Sequence, residues 1–514
     1  MSEKEYIVSL KRGVDPSNFK AEMTQSTGDA NIPARSVDVA NERLLSTRNT
    51  HYSLTDEEAE QLKNDSRVAG INIPPQDDDT TEIGLHAVQI GDFKKTTADS
   101  GNHLNWGMRR CIESTNVYGT STNNPSGDYT YHLDGTGVDV VIQDTGIQAD
   151  HPEFFDASGS SRVQQIDWYT ESGLAGTQGS NHYSDTSGHG THCAGTAAGL
   201  RYGWAKNARV YSVNVAGLSS NSSAISITDC FDVIKGWHNN KPIDPATGYK
   251  RPTIVNMSWG YGTYSYNVTD VIYRGASVSS GWSGLGRDTA HGIVGYLRSG
   301  VYGYRVVERK VSVDTDVQEM IDAGIHVCCA AGNSYQKVDI PSGADYDNRF
   351  ESTYTGTCYY HRGGSPFDDE AMIVGNVDSN THSGGLEQKA GSSENGPGVD
   401  IYAPGTNIIS SNSTASSYAS GTYPGNSNFK ICTISGTSMA SPQVCGVGAL
   451  ILQANPHMTP AELKNYFITN SVSNMLYSTG SDTDYAVERS LKGGNNRFLY
   501  NTFSSQYKFR ITNS

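Results

Sequence analysis

The stretch that most restricts the fold is VDVVIQD at 138–144, in which apolar side chains follow one another with almost no polar alternation. A strand with one face in water alternates, whereas one without alternation is buried on both faces, as in a parallel sheet covered by helices. The theme then repeats. Ile227, Cys230, Phe231 and Ile234 fall on one helical face, and TIVNMSW at 253–259 reads as the next strand. Val313, Val317, Met320 and Ile321 mark a second amphipathic helix, Gly324 supplies its stop, and IHVCCAAG at 325–332 returns to strand. This alternation predicts an α/β fold, a parallel sheet flanked by helices. Thr459, Pro460 and Glu462 combine a cap, a first-turn proline and a capping-box acid, so a helix begins near residue 460, close to the expected end of this core.

A chain of 514 residues exceeds one ordinary core. Ahead of the α/β pattern, YIVSL at 6–10 reads as a strand, and Thr55 with Glu58 forms a capping box for the helix DEEAEQLKN. RVAGINIP at 67–74 is a further strand, and Pro74, Pro75 and the acidic 77–79 mark a domain edge. The expected organisation is a small α+β domain over 1–76, a linker or processing region over 77–104, the α/β domain over 105–472 and an extension over 473–514. Two stretches, 261–311 rich in Gly, Ser and Tyr, and 411–430 rich in Ser, interrupt the rhythm and read as insertions on loops.

With 38 basic against 54 acidic residues the net charge is −16, which argues against a non-specific grip on nucleic acid or an anionic membrane. No apolar run approaches the roughly 18 residues of a membrane span, and the charged start MSEKEYIVSL does not read as an export signal. Synthesis in the cytoplasm is therefore expected, with an intracellular role, release by lysis and carriage in a virus particle all left open. Eight cysteines in such a chain predict reduced thiols and no structural disulfides.

Three segments carry chemistry: VVIQDTGIQADHPEF, SGHGTHCAGTAAG and ISGTSMASPQVCG. A serine hydroxyl is a poor nucleophile at neutral pH. It needs a histidine to take its proton and a carboxylate to hold the imidazole in the right tautomer. Ser438, His189 and Asp144 supply those parts, with Asp144 at the C-terminal end of a predicted parallel strand. Other readings are weaker. D-T-G at Asp144 would need a second copy to make an aspartic protease. His189, His192 and Cys193 share one helical face as metal ligands would, without H-E-x-x-H or a fourth ligand. An α/β-hydrolase would need an acid and then a histidine after Ser438, and only His457 follows.

The three segments, in the order Asp, His, Ser, resemble the active-site signatures of the subtilisin-like serine proteases. The likeness extends to NWGMRR at 105–110, NMSWG at 256–260, AAGN at 330–333 and VDIYAPGTNI at 399–408, and covers roughly residues 102–470. It implies an endopeptidase acting on polypeptides through a catalytic triad of Asp144, His189 and Ser438, with Asn333 donating to the oxyanion beside the Ser438 amide. It implies further that Ser258, Trp259, Gly260, Ala330, Ala331 and Gly332 line the substrate, which pairs as an added strand. The N-terminal domain then resembles a propeptide acting as an intramolecular inhibitor, removed by self-cleavage between about 76 and 104. No cofactor is implied for catalysis. Structural calcium is common in such enzymes, and no site is assigned to it. The acidic residues Asp345, Asp347, Asp368, Asp369 and Glu370 also fit a merely solvated role. The chain departs from the family's habit at Gln443 and Cys445, where SPHVAG is usual, and Cys193 could confer sensitivity to thiol reagents. The opposing whole-protein reading is a catalytically silent relative kept as a scaffold.

Overall fold

The run at 138–144 becomes the strand Asp139–Asp144, every residue of it buried. It is an interior strand, third from one edge, of a nine-stranded sheet in the computed structural model of the protein. The structure describes all residues except 1–2, 12, 27–30, 42–47, 75–86, 101, 123–125, 174, 179–183, 216–228, 246–247, 279–286, 289, 299–300, 479–488 and 504–514. Two compact units divide at residue 85/86.

In the first unit, Val39–Asn41, Asn49–Leu54, Lys4–Leu10 and Val68–Asn72 form, in that order, an antiparallel sheet. Tyr6, Val8 and Leu10 alternate inward and pack with Phe19 and Met23 of the helix Pro16–Gln25 and Leu62 of the helix Asp56–Leu62. The Thr55–Glu58 capping box forms in both directions, at 3.3 and 2.9 Å, satisfying two amides at the helix start. The acidic 77–79 lie outside the described residues.

The large sheet of the second unit runs Val472–Ser473, Arg497–Phe498, Ile401–Pro404, Met372–Val377, His326–Ala330, Thr253–Met257, Asp139–Asp144, Arg209–Asn214 and Val163–Gln164. All neighbours are parallel except the edge pair Val472–Ser473 and Arg497–Phe498. Three adjacent interior strands, with Val140 to Ile142, Ile254, Val255 and Cys328 nearly or fully inaccessible, explain the absence of polar alternation. The helix Asp229–Asn240 buries Cys230, Phe231 and Ile234 as their spacing required, while Ile227 falls outside the described residues. The helix Val311–Asp322 buries Val313, Val317, Met320 and Ile321.

Four segments are more ordered than their composition suggested. Part of the 77–104 stretch is the strand Ala87–Asp92, paired with Ser126–Tyr131 inside the second unit. Residues of the 473–514 extension close the edge of the large sheet. The 261–311 insertion folds as Gly262–Ser265, Val301–Val307, Ile293–Arg298 and Arg287–Asp288, with Val268–Tyr273 pairing the distant Arg349–Ser352. Val271, Ile293, Tyr304, Val306, Phe350 and Tyr360 give it a core of its own. The 411–430 stretch belongs to the antiparallel set Ile408–Asn412, Lys430–Ile434 and Gly421–Thr422. Polar, Gly-rich strands of this kind lack a periodicity that a sequence reading can register.

Candidate active site

Asp144, Ser258 and Ala330 sit at the C-terminal ends of three adjacent parallel strands, so the sheet itself gathers them along one edge. The Asp144 carboxylate, 1% exposed, receives the Thr145 amide at 2.8 Å and Nδ1 of His189 at 2.7 Å through the same oxygen, Oδ1. Burial works against the His189 imidazolium, but the neighbouring Asp144 carboxylate outweighs it and raises the pKa well above its ordinary value. Nδ1 thereby carries the proton, which leaves Nε2 as the basic face.

What places His189 at the first turn of the helix His189–Ala198 is a residue the sequence reading passed over, Asp185. Its buried carboxylate collects the amides of Ser187, Gly188 and Thr191 at 3.0, 2.8 and 2.9 Å, and the hydroxyls of Thr145 and Thr191 at 2.9 and 2.7 Å. It therefore ties the turn after Asp144 to the start of the His189 helix. The signal was available: an acid just upstream of a helix start is where unpaired amides and the helix dipole favour negative charge.

Ser438 is the second residue of the helix Thr437–Ala454. That helix meets the His189 helix at Gly446, where an added Cβ would lie 2.6 Å from the Ala197 carbonyl. Only glycine permits this approach. The Ser438 hydroxyl donates to the Ser258 carbonyl at 3.1 Å rather than to His189, so a rotation about its Cα–Cβ bond is needed to engage the imidazole. In return the Ser258 hydroxyl donates to the Ser438 carbonyl at 2.9 Å, and Asn256 donates to Ser258 at 2.9 Å. The Ser258 side chain thus braces the helix start. Trp259 packs against Phe231 and Tyr261, and Gly260 is exposed beside them.

Ala330, Ala331 and Gly332 lead from the strand His326–Ala330 to Asn333, whose Oδ1 accepts the Thr437 amide at 2.9 Å and the Thr437 hydroxyl at 3.2 Å. A Cβ placed on Gly436 would be 3.5 Å from Nδ2 and 3.6 Å from Oδ1 of Asn333, and 3.7 Å from the Ser438 amide nitrogen. The Asn333 amide group and the Ser438 amide therefore both border the space left because residue 436 has no side chain.

Gln443, where the family more often has histidine, is fully buried. It accepts from Trp204 Nε1 at 2.6 Å and donates to Asn105 Oδ1 at 3.0 Å, joining the NWGMRR segment to the Ser438 helix. The metal reading of His189, His192 and Cys193 does not assemble: His192 turns its Nε2 to the Ile408 carbonyl at 3.0 Å, and burial lowers its pKa to about 3. The ligand atoms that do come within 4.8 Å are those of Asp144, His189 and Cys193, where the first two are already joined by a hydrogen bond. Cys193 lies 3.3 Å from the Ser438 carbonyl, and burial raises its thiol pKa. All eight cysteines are free thiols. Of the acidic candidates, Asp345 is buried against Arg274 and Lys337, both at 2.7 Å, and Asp347 pairs with Arg362.

The subtilase family model matches residues 135–498. An extracellular serine proteinase of Thermus sp. (strain Rt41A) is 26% identical over 475 residues, covering 92% of this chain and 82% of that protein. A subtilisin-like protease of Coccidioides posadasii is 29% identical, covering 74% of this chain and 59% of its own length. Alkaline serine exoprotease A of Vibrio alginolyticus is 27% identical, with 87% and 57% covered. The chain thus spans less than two thirds of the latter two. The crystal structure of a cold adapted subtilisin-like serine proteinase is 24% identical, covers 77% of this chain and 97% of its own, and has a TM-score of 0.46. The expectation of a cytoplasmic protein is corrected here: the Thermus relative is named as extracellular, which points to secretion. Within the charged start on which that expectation rested, Lys4–Leu10 is a strand of the N-terminal unit. With a family model over more than two thirds of its length, the chain belongs to the subtilase family of subtilisin-like serine proteases.

Proposed function

We propose that the chain is a serine endopeptidase in which Ser438 attacks the scissile carbonyl of a polypeptide, His189 takes the hydroxyl proton on Nε2 and passes it to the leaving amine, and Asp144 holds the imidazole. Asn333 Nδ2 and the Ser438 amide stabilise the tetrahedral oxyanion, and water then hydrolyses the acyl-enzyme. The observation that carries this reading is the pair of donors flanking the space above Gly436, next to a histidine bonded at 2.7 Å to a buried carboxylate. In this reading main chain at 258–260 and 330–332 pairs with an extended peptide.

The N-terminal α+β unit acts in this reading as an intramolecular inhibitor released by self-cleavage. The strand Ala87–Asp92 is hydrogen-bonded into the second unit along its whole length, so the cut falls between residue 76 and that strand. The test is hydrolysis of casein by purified wild type and Ser438→Ala, with intact mass followed over time. Casein cleavage and loss of the N-terminal unit in wild type alone support the proposal. Identical behaviour of the two proteins would refute it in favour of a catalytically silent relative.

A further inference from the structure

Structural calcium is common among subtilases, and in this chain three lysines stand where oxygen atoms converge. Lys464, on the helix Pro460–Asn470, donates to the carbonyls of Asp369 and Ala371, both at 2.7 Å, and to the Asp400 carboxylate at 2.8 Å. Lys206, buried, donates to the carbonyls of Gly203 and Leu200 at 2.7 and 2.9 Å and to Gln89 Oε1 at 3.1 Å. Lys389, fully buried, donates to the carbonyls of Ala390, Ser393 and Gly391 at 2.8, 2.9 and 3.1 Å.

Carbonyls, an amide oxygen and a carboxylate are the hard donors that calcium takes, at about 2.3–2.6 Å. Here they stand 2.7–3.1 Å from a nitrogen, the spacing of N–H···O bonds, and each ammonium uses its three hydrogens on three oxygens. The centre of each cradle is occupied by the protein itself, so a metal ion does not fit beside the lysine. Two of the cradles join segments far apart in sequence: 369–371, 400 and 464 in one, 89 and 200–206 in the other.

We propose that Lys206, Lys389 and Lys464 are this protein's own structural cations, tying with ammonium groups loops that a bound metal would otherwise tie, so that these three places need no calcium. Burial lowers the Lys206 pKa to about 7 against the pull of the Glu153 carboxylate. Lys464, in direct contact with a carboxylate, is therefore the group to test first.

The experiment compares thermal unfolding of full-length protein in EDTA and in millimolar CaCl2. It uses the Ser438→Ala background to prevent self-digestion, and Lys464→Ala in the same background. The parent is expected to move by less than about a degree between the two conditions. The variant is expected to unfold several degrees lower in EDTA and to recover part of that loss in CaCl2, because the emptied cradle retains its carboxylate and two carbonyls. Lys464→Gln, which is one atom shorter and loses the charge but keeps a polar end, replaces Lys464→Ala if the latter does not fold, with the same expectation of destabilisation. A variant as stable as the parent, or a parent that gains as much from calcium as the variant does, would overturn the proposal.

Discussion

Replacing Asn333 tests the arrangement at its most specific point, because the two ends of this side chain have different partners. Oδ1 accepts from the amide and hydroxyl of Thr437, and Nδ2 borders the space above Gly436 and is assigned here as the oxyanion donor. Asn333→Ala removes both ends. Loss of the Nδ2 donor, by analogy with the figure measured on subtilisin, raises the barrier by about 2.7–4 kcal/mol, or 10²–10³-fold in kcat. Loss of Oδ1 leaves a helix-start amide without its acceptor, at a cost of roughly 1–3 kcal/mol in stability. Asn333→Asp separates the two effects. It keeps the acceptor and most of the stability, yet puts negative charge where the oxyanion forms, so kcat falls at least as far. The assay is steady-state hydrolysis of a chromogenic oligopeptide, with an unfolding midpoint for each variant. Both substitutions should lower kcat with little change in KM. An Asn333→Ala enzyme within tenfold of wild-type kcat, or one altered only in KM, would refute the assignment.

The raised pKa of His189 means that the imidazole stays protonated, and so unable to act as base, to a higher pH than a free histidine would. The acid limb of kcat/KM should lie above the usual histidine range, and Asp144→Asn should lower kcat by about 10⁴-fold by releasing the tautomer. A limb below pH 6 in wild type would contradict this. Gln443→Ala strips buried partners from Trp204 and Asn105 and should destabilise the protein by roughly 3 kcal/mol or more, read as a lower unfolding midpoint. Because Cys193 touches the Ser438 carbonyl, a mercurial should inactivate wild type slowly, as its burial requires, and spare Cys193→Ala; equal loss in both would exclude that thiol. Glu394, buried beneath Gly332, has its pKa raised to about 8 by burial. The folded state thus holds a proton that the unfolded chain releases near pH 4.5, and stability falls as pH rises between these values. Glu394→Gln should remove that slope, measurable as the difference in unfolding midpoint between pH 5 and pH 8.

The α/β core was legible because periodicity is local. Val140 to Ile142 and the i, i+3, i+4, i+7 positions of the flanking helices report burial whatever their neighbours turn out to be. The caps at Thr55 and Thr459 were legible for the same reason, since each is complete within four residues. Asp144, His189 and Ser438 could be named from their surroundings. That Thr253–Met257 lies between Asp139–Asp144 and His326–Ala330, which brings Asp144, Ser258 and Ala330 to one edge, is a fact of sheet order. Only the tertiary structure decided that Asp185 gathers five donors, that Gln443 bonds Trp204 across 239 positions, that Asn333 and Ser438 flank the same space, and that three lysines fill oxygen cradles. Each of these depends on contacts between segments whose spacing along the chain carries no period, so no local pattern could have announced them.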